Sequence, residues 1–226
     1  MSIKQRAVNP DQKEERRQII LDVALQLFQA ANYEAVSMVA VAEAAQIAKG
    51  TVYLYFKTKE ALFLALLTQE FERWFDRVDT ELRAKAQPLS IDSFGAFMVE
   101  TLATHPALVR LIAILHVILE QNIDFATALQ FKEMLLRRVN QTGPHIESAL
   151  PFLRPGEGMQ LLLRIHALVI GLQHMAEPAP LIRAVLAEPH LALFRVDFHS
   201  EFFRFLQTLL TGLAARDERT EATIPA

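Results

Sequence analysis

The sequence predicts an all-α protein, and three observations carry that expectation. Almost every segment repeats its apolar residues at helical spacing, and no run alternates with period two for long. Ser37, Thr58 and Ser90 stand immediately before apolar runs, where their side-chain oxygens can accept orphan N–H groups of a first helical turn. Pro88, Pro106, Pro178, Pro180 and Pro189 fall where such runs stop.

The first helix should run from about Asp11 to Ala31 and bury Ile20, Val23, Ala24, Leu27, Phe28 and Ala31. Two short helices follow. Ser37 caps the first, with Val39, Ala42 and Ala45 on its apolar face. Gln46-Ile47-Ala48 makes a tight turn with Ile47 inward. The second covers Lys49 to Phe56, where Val52 and Phe56, four apart, share one buried face. Thr58 caps a long helix reaching about Ala86, with Leu62, Phe63, Leu66, Phe71, Trp74, Phe75 and Val78 inward, and Pro88 ends it. Ser90 caps Ile91–Thr104, and His105-Pro106 separates it from Ala107–Gln121. After a turn at Asn122–Asp124, a helix from Phe125 reaches Asn140 and should bend or stop at Gly143-Pro144. Pro151–Gly158 reads as a loop, followed by long helices at about Glu157–Ala176 and Asp197–Ala215. This gives nine or ten helices: a three-helix head with a helix-turn-helix over 11–57, a larger body over 58–216, and tails at 1–10 and 217–226.

The stretch from Ser37 to Lys59 is the most informative. Its second short helix leaves Lys49, Gly50, Thr51, Tyr53 and Tyr55 outward: a cation, a residue with no side chain, a hydroxyl and two phenols. A helix that enters a DNA groove needs close backbone approach, donors for phosphate oxygens and flat rings against sugar or thymine methyl groups. The candidate DNA-contacting set is Ser37, Lys49, Gly50, Thr51, Tyr53, Leu54, Tyr55 and Lys59.

Charge sets a condition on such binding. The net charge is −3, with eight Lys or Arg against seven Asp or Glu in residues 1–60 and fifteen against nineteen in the rest. Affinity for nucleic acid must therefore rest on a few placed cations, Lys4, Arg6, Lys49, Lys57 and Lys59, and on two copies acting together.

The body carries no catalytic or cofactor signature. The seven histidines form no metal-ligand spacing, and there is no Gly-rich phosphate loop, GxSxG or paired-carboxylate pattern, so no catalytic residue, metal or cofactor is assigned. The apolar runs 107–119 and 161–172 are shorter than a membrane span, and each holds an Arg and a His, so no membrane partner is expected. The absence of cysteine and of an apolar leader fits a cytoplasmic protein. The helix at 161–172 is apolar all round and must be covered all round, which predicts a homodimer. Ala167, Gly171 and Met175 give a narrow face for a partner helix, and Phe202, Leu206, Leu209 and Leu213 a broad one. Trp74, Phe75, Phe97, Met98, Phe131 and Met134 are either ordinary core or the wall of a small-molecule pocket, with His116, Gln121 and Gln173 as polar groups to orient a ligand.

Residues 13–66 resemble the DNA-binding domain of the tetracycline-repressor (TetR) family of bacterial regulators. The resemblance rests on Phe28, Tyr33, Ser37, Val41-Ala42, Ala45, Lys49-Gly50-Thr51-Val52-Tyr53, Tyr55-Phe56 and Lys59-Glu60-Ala61-Leu62, without gaps. Three positions depart from the family pattern. Asn32 replaces a Gly after the first helix, Gln46 replaces a Gly in the turn, and Ala48 replaces a Ser before the recognition helix. The resemblance implies a repressor that binds a double-stranded operator with an inverted repeat and is released by a small apolar or amphipathic effector. It also implies phosphate contact by Lys59 and a four-helix dimer core built from the last two long helices. The rival reading is a helical ligand carrier or enzyme body with a non-functional head.

Overall fold

Ten α-helices, one π-helical turn and one 3-10 helix make up residues 10–221, which are those the computed structural model describes; no strand is present among them. Lys4 and Arg6, with residues 1–9 and 222–226, lie outside the described residues; the last helix runs on to Glu221, into the expected tail at 217–226. The chain forms two compact units that interleave in sequence. One holds the residues up to Gln69 together with Leu115–Leu129, and the other holds Glu70–Ile114 and the residues from Gln130 onward.

In the first unit, α1 (Pro10–Ala30) buries Ile20, Leu21, Ala24 and Phe28. The short helices are α2 (Met38–Ala44) and α3 (Lys49–Tyr55). The amide of Ala40 donates to Ser37 Oγ at 3.1 Å, so Ser37 caps α2 as its sequence position suggests. The buried face of α2 is Met38, Val41 and Ala42, while Val39 points outward at 40% exposure. Of the expected face, Ala42 is buried and Ala45 half-buried, and only Val39 turns out, because Met38 starts the helix and takes the inward position. Thr58 Oγ1 accepts from Ala61 N at 3.0 Å and caps α4 (Lys59–Arg83), whose first eleven residues belong to this unit and whose remainder belongs to the other. Phe63 packs edge-on to Phe28 and Tyr33, with ring centroids 5.4 and 4.8 Å away.

The second unit contains α5 (Ile91–Ala103), α6 (Pro106–Ile114), most of α7 (Phe125–Ala149), α8 (Glu157–Ala176), α9 (Pro180–Leu186) and α10 (Phe198–Glu221). Ser90 caps α5 by accepting from Ser93 N at 3.1 Å. The expected single helix over 107–121 is instead α6 followed by a π turn at Leu115–Leu119, seen in the Glu120 N–H donating to the Leu115 carbonyl at 3.0 Å. The expected break at Gly143-Pro144 is absent, since α7 runs through both residues. An interior proline costs a helix about 3 kcal/mol, and tertiary contact there offsets it. A Cβ on Gly158 would lie 2.2 Å from the Gly143 carbonyl oxygen, so the α7 and α8 backbones touch where only glycine fits. Glu147 reinforces the corner, accepting from the amides of Gly156 and Gly158 at 2.8 and 2.9 Å.

α8 packs against α6 and α10, and α10 also packs against α5. α8 turns Leu161, Leu162, Ile165, Val169 and Leu172 inward and leaves Ala167, Gly171 and Met175 open. On α10, Phe202, Leu206 and Leu213 are buried within their own subunit. Of the residues expected at a dimer face, these three fill the core of their own subunit. Leu209 is half-buried and Phe205 is 50% exposed. A charged group that the apolar pattern did not reveal sits between α4 and α7. Arg138 and Asp79, 4% and 1% exposed, pair at 3.3 Å, and Asp79 also meets His145 Nδ1 at 3.0 Å. No single helix among the described residues is long and apolar enough to cross a membrane.

Candidate nucleic-acid interface

Two anchors fix α3 to the first unit. Val52 is fully buried and Phe56 is 5% exposed, as their spacing of four requires. Everything that could face a ligand is on the other side. Tyr53 is 42% and Leu54 77% exposed, Lys49 and Gly50 are exposed, and Thr51 and Tyr55 are half-buried. A Cβ on Gly50 would meet nothing within 4 Å, so the bare backbone is open to a close partner and is not shaped by packing inside the chain. Lys49 Nζ lies 5.9 Å from the Tyr53 ring centroid, which sets cation and phenol side by side on one exposed face.

The turn that delivers α3 is not ideal. Gln46 has φ 55°, the left-handed region that favours glycine. Ala48 holds the N-cap position with extended backbone and offers no side-chain acceptor. Asn32 does not use the left-handed conformation: its Oδ1 accepts from Ala35 N at 3.0 Å and closes the turn with its side chain.

Two cations expected to be free for phosphate already have partners. Lys59 is half-buried; Nζ donates to the Tyr33 carbonyl and lies 3.8 Å from the Tyr33 ring centroid. Burial pulls its pKa below the ordinary lysine value, opposed by Glu34 and Glu60. Tyr33 donates its hydroxyl to Glu60 Oε1 at 3.1 Å, and burial, aided by that carboxylate, pushes the phenol above its ordinary value. Lys59 thus ties the α1–α2 turn to α4. An ammonium has three donors, so a second acceptor can still be met. Lys57 pairs with Asp124 at 3.5 Å in an exposed ion pair. Beside it Thr58 donates its hydroxyl to the Asn122 carbonyl at 3.0 Å. These contacts clip the 122–124 turn onto the segment leading from α3 to α4. Asp124 also caps α7 by accepting from Thr127 N at 2.9 Å, and this bond, with Lys57, holds its carboxyl below the usual range. Ser37 is exposed, with its oxygen already accepting from Ala40.

The candidate ligand residues separate. Trp74, Phe75, Phe97, Met98, Phe131, Met134 and Gln173 are all buried in the second unit. Trp74 Nε1 donates to Thr101 Oγ1 at 3.1 Å, and its ring meets Phe75 edge-on at 5.0 Å. Phe71 links Phe75 and Phe131, at 6.0 and 6.3 Å. His116 belongs to the first unit, exposed on the π turn with Nδ1 2.9 Å from Glu120 Oε2. Gln121 is likewise exposed in that unit. No group of three or more potential metal-ligating side chains occurs among the described residues.

Two family models match this chain. "Bacterial regulatory proteins, tetR family" covers residues 20–66, and "Tetracyclin repressor-like, C-terminal domain" covers 68–217. Among curated proteins, the chain is 51% identical over 61 residues to the HTH-type transcriptional repressor KstR of Rhodococcus jostii, covering 27% of this chain and 29% of that one. It is 45% identical over 74 residues to KstR of Mycolicibacterium smegmatis, covering 33% and 36%. These matches span about a third of the relatives' length. Among solved structures, the multidrug binding protein EbrR complexed with imidazole is similar with TM-score 0.56 and 17% identity, over 93% of this chain and 97% of that chain. The fatty acid degradation regulator FadR from Bacillus halodurans is similar with TM-score 0.54 and 16% identity, over 92% and 97%. At such identities the likeness is one of fold.

Proposed function

The chain belongs to the tetR family of bacterial regulatory proteins, whose models match 20–66 and 68–217, and from that premise we propose that it is a homodimeric repressor that binds operator DNA through α3. The observation that carries this reading is the split character of α3: Val52 and Phe56 pinned in the core, and Lys49, Gly50, Tyr53 and Leu54 presented together outside. The 51% identity over 61 residues to a transcriptional repressor supports the same role. Two copies would place two such helices in successive major grooves of an inverted repeat, about 34 Å apart. The protein would act where the DNA is, in the cytoplasm.

Release by a small apolar or amphipathic effector is the second half of the proposal. The soft, aromatic and methionine-rich interior around Trp74, Phe75, Phe131 and Met134 supports it. The effector would favour a conformation with lower DNA affinity, and such coupling is typically about 1–3 kcal/mol. α4 is the natural carrier, since one unbroken helix contributes to both units.

A gel-shift titration with DNA from upstream of the protein's own gene tests the DNA role. Tyr53→Ala should weaken operator binding by about 1–3 kcal/mol with unchanged helicity. A folded variant with the parent's affinity would remove Tyr53, and the α3 face with it, from the interface.

A further inference from the structure

We propose that a cavity at the end of α8 is a binding site for a small amphipathic carboxylate, a ligand with an anionic head and a short apolar body. The chain builds the cavity by turning back at prolines. α8 ends at Ala176, Pro178 follows its cap, Pro180 opens α9, and Pro189 opens the 3-10 helix at Pro189–Phe194. The cavity holds about 340 Å³, at the small end of the range for small-molecule sites, about 300–1,000 Å³. Its wall has two characters. Met175 and Ala176 of α8, Pro178, Leu186 of α9 and Val196 make it apolar, while Arg183 and Arg195 bring two guanidiniums to it. Arg183, Leu186 and Ala187 stand at i, i+3 and i+4, so one face of α9 supplies both a cation and apolar cover. None of Trp74, Phe75, Phe131 and Met134 lines it, so it is distinct from the aromatic interior proposed for the effector.

The charges select the head of the ligand. Elsewhere in the second unit Arg77, Arg137, Arg138, Arg204 and Arg216 each reach a carboxylate. Arg183 and Arg195 make no ion pair or side-chain hydrogen bond among the described residues, and both are exposed. Three acids are close in sequence, yet none lines the cavity. Glu177 and Glu188 are exposed, and Asp197 accepts from the Ser200 amide at 2.9 Å at the start of α10. Two like charges on one cavity wall repel, and a bound anion removes that cost. A guanidinium presents its N–H groups as a flat fork that a carboxylate meets with two parallel bonds. A cation would meet two positive charges, and a neutral ligand would gain nothing from them. The apolar wall selects the body. A bare inorganic anion gains nothing from Leu186 and Val196, and Met175 adapts its shape to a flexible chain.

Isothermal titration of the full chain with octanoate tests the site. Octanoate should bind at one molecule per chain. Acetate and octan-1-ol, which carry the head and the tail alone, should bind at least about tenfold more weakly. Arg183→Gln/Arg195→Gln should keep the parent's circular dichroism, since both side chains are exposed. It should raise the octanoate dissociation constant about 10- to 100-fold by removing the charge-assisted bonds. Ala187→Glu changes another exposed position of the wall and sets a carboxylate four residues from Arg183 on the same face of α9. That carboxylate occupies the guanidinium, so octanoate affinity should fall about tenfold. No octanoate binding to the parent at millimolar concentration would overturn the site. So would a folded double variant that binds octanoate as tightly as the parent, a result that would send the ligand to the aromatic interior instead. Equal affinity for acetate and octanoate would overturn the amphipathic class.

Discussion

At residue 46 the chain accepts a conformation that costs a side chain about 1–2 kcal/mol, and two residues later it forgoes a cap. Both departures were legible against the family pattern, in which Gln46 stands in place of a Gly and Ala48 in place of a Ser. Ala48→Ser should therefore stabilise the protein by about 0.5–2 kcal/mol, read as a higher urea midpoint with an unchanged slope; an unaltered midpoint would mean that Ala48 does not occupy the capping position. The double duty of Lys59 and the pairing of Lys57 were not legible. Their partners, Tyr33 and Asp124, lie far along the chain and carry no local signal. Spacing shows which face a lysine is on, but not whether a carbonyl from another turn waits there.

Among the elements, caps were easier to read than interiors. Ser37, Thr58 and Ser90 bond as their positions suggest. The π turn escaped notice because Ala107–Leu119 is apolar on nearly every side and gives periodicity no phase to follow. The run of α7 through Pro144 escaped because the glycine contact that compensates it is with another helix. The pairing of α4 with α7 rests partly on Arg138 and Asp79. Arg138→Leu should destabilise the fold by about 3–5 kcal/mol by leaving the buried Asp79 carboxylate with His145 but without its guanidinium, and Arg138→Leu/Asp79→Leu should recover most of the loss. Equal unfolding midpoints for the single and double variants would refute that coupling. The start of α7 carries a pH signature. Since the Asp124 carboxyl is held below its unfolded value, its contribution is complete above about pH 5 and is lost as pH falls from about 4 through the depressed value. Amide exchange at Ala126–Ala128 should accelerate over that acid range, relative to the rest of α7. A uniform response along the helix would count against the cap.

For the whole molecule, the all-helical class followed from periodicity alone, and the helix-turn-helix from one stretch of 23 residues, Ser37 to Lys59. The open stripe on α8 was also legible, because Ala167, Gly171 and Met175 share a face by spacing; the burial of Phe202, Leu206 and Leu213 was not, because α10 is apolar over a wide arc and only packing decides which part turns inward. A Cβ on Gly171 meets nothing within 4 Å in the subunit, so Gly171→Leu should leave the isolated subunit folded. It should weaken dimerisation by about 1–3 kcal/mol per copy through overpacking, and operator binding should fall with it. A variant as dimeric as the parent would place the contact elsewhere.

The interleaving of the two units could not be read from a linear division after residue 57. It also has a consequence for how the protein is made. The piece that completes the first unit, Leu115–Leu129, is separated from Gln69 by residues of the other unit. A ribosome adding about 5–20 residues per second needs several seconds to travel from Gln69 to Leu129. Throughout that interval the nascent helix-turn-helix is complete in sequence, yet Lys57 and Thr58 have nothing to hold. The bonds of Lys57 and Thr58 to the 122–124 turn therefore form last in the first unit, only after Glu70–Ile114 of the second has been made.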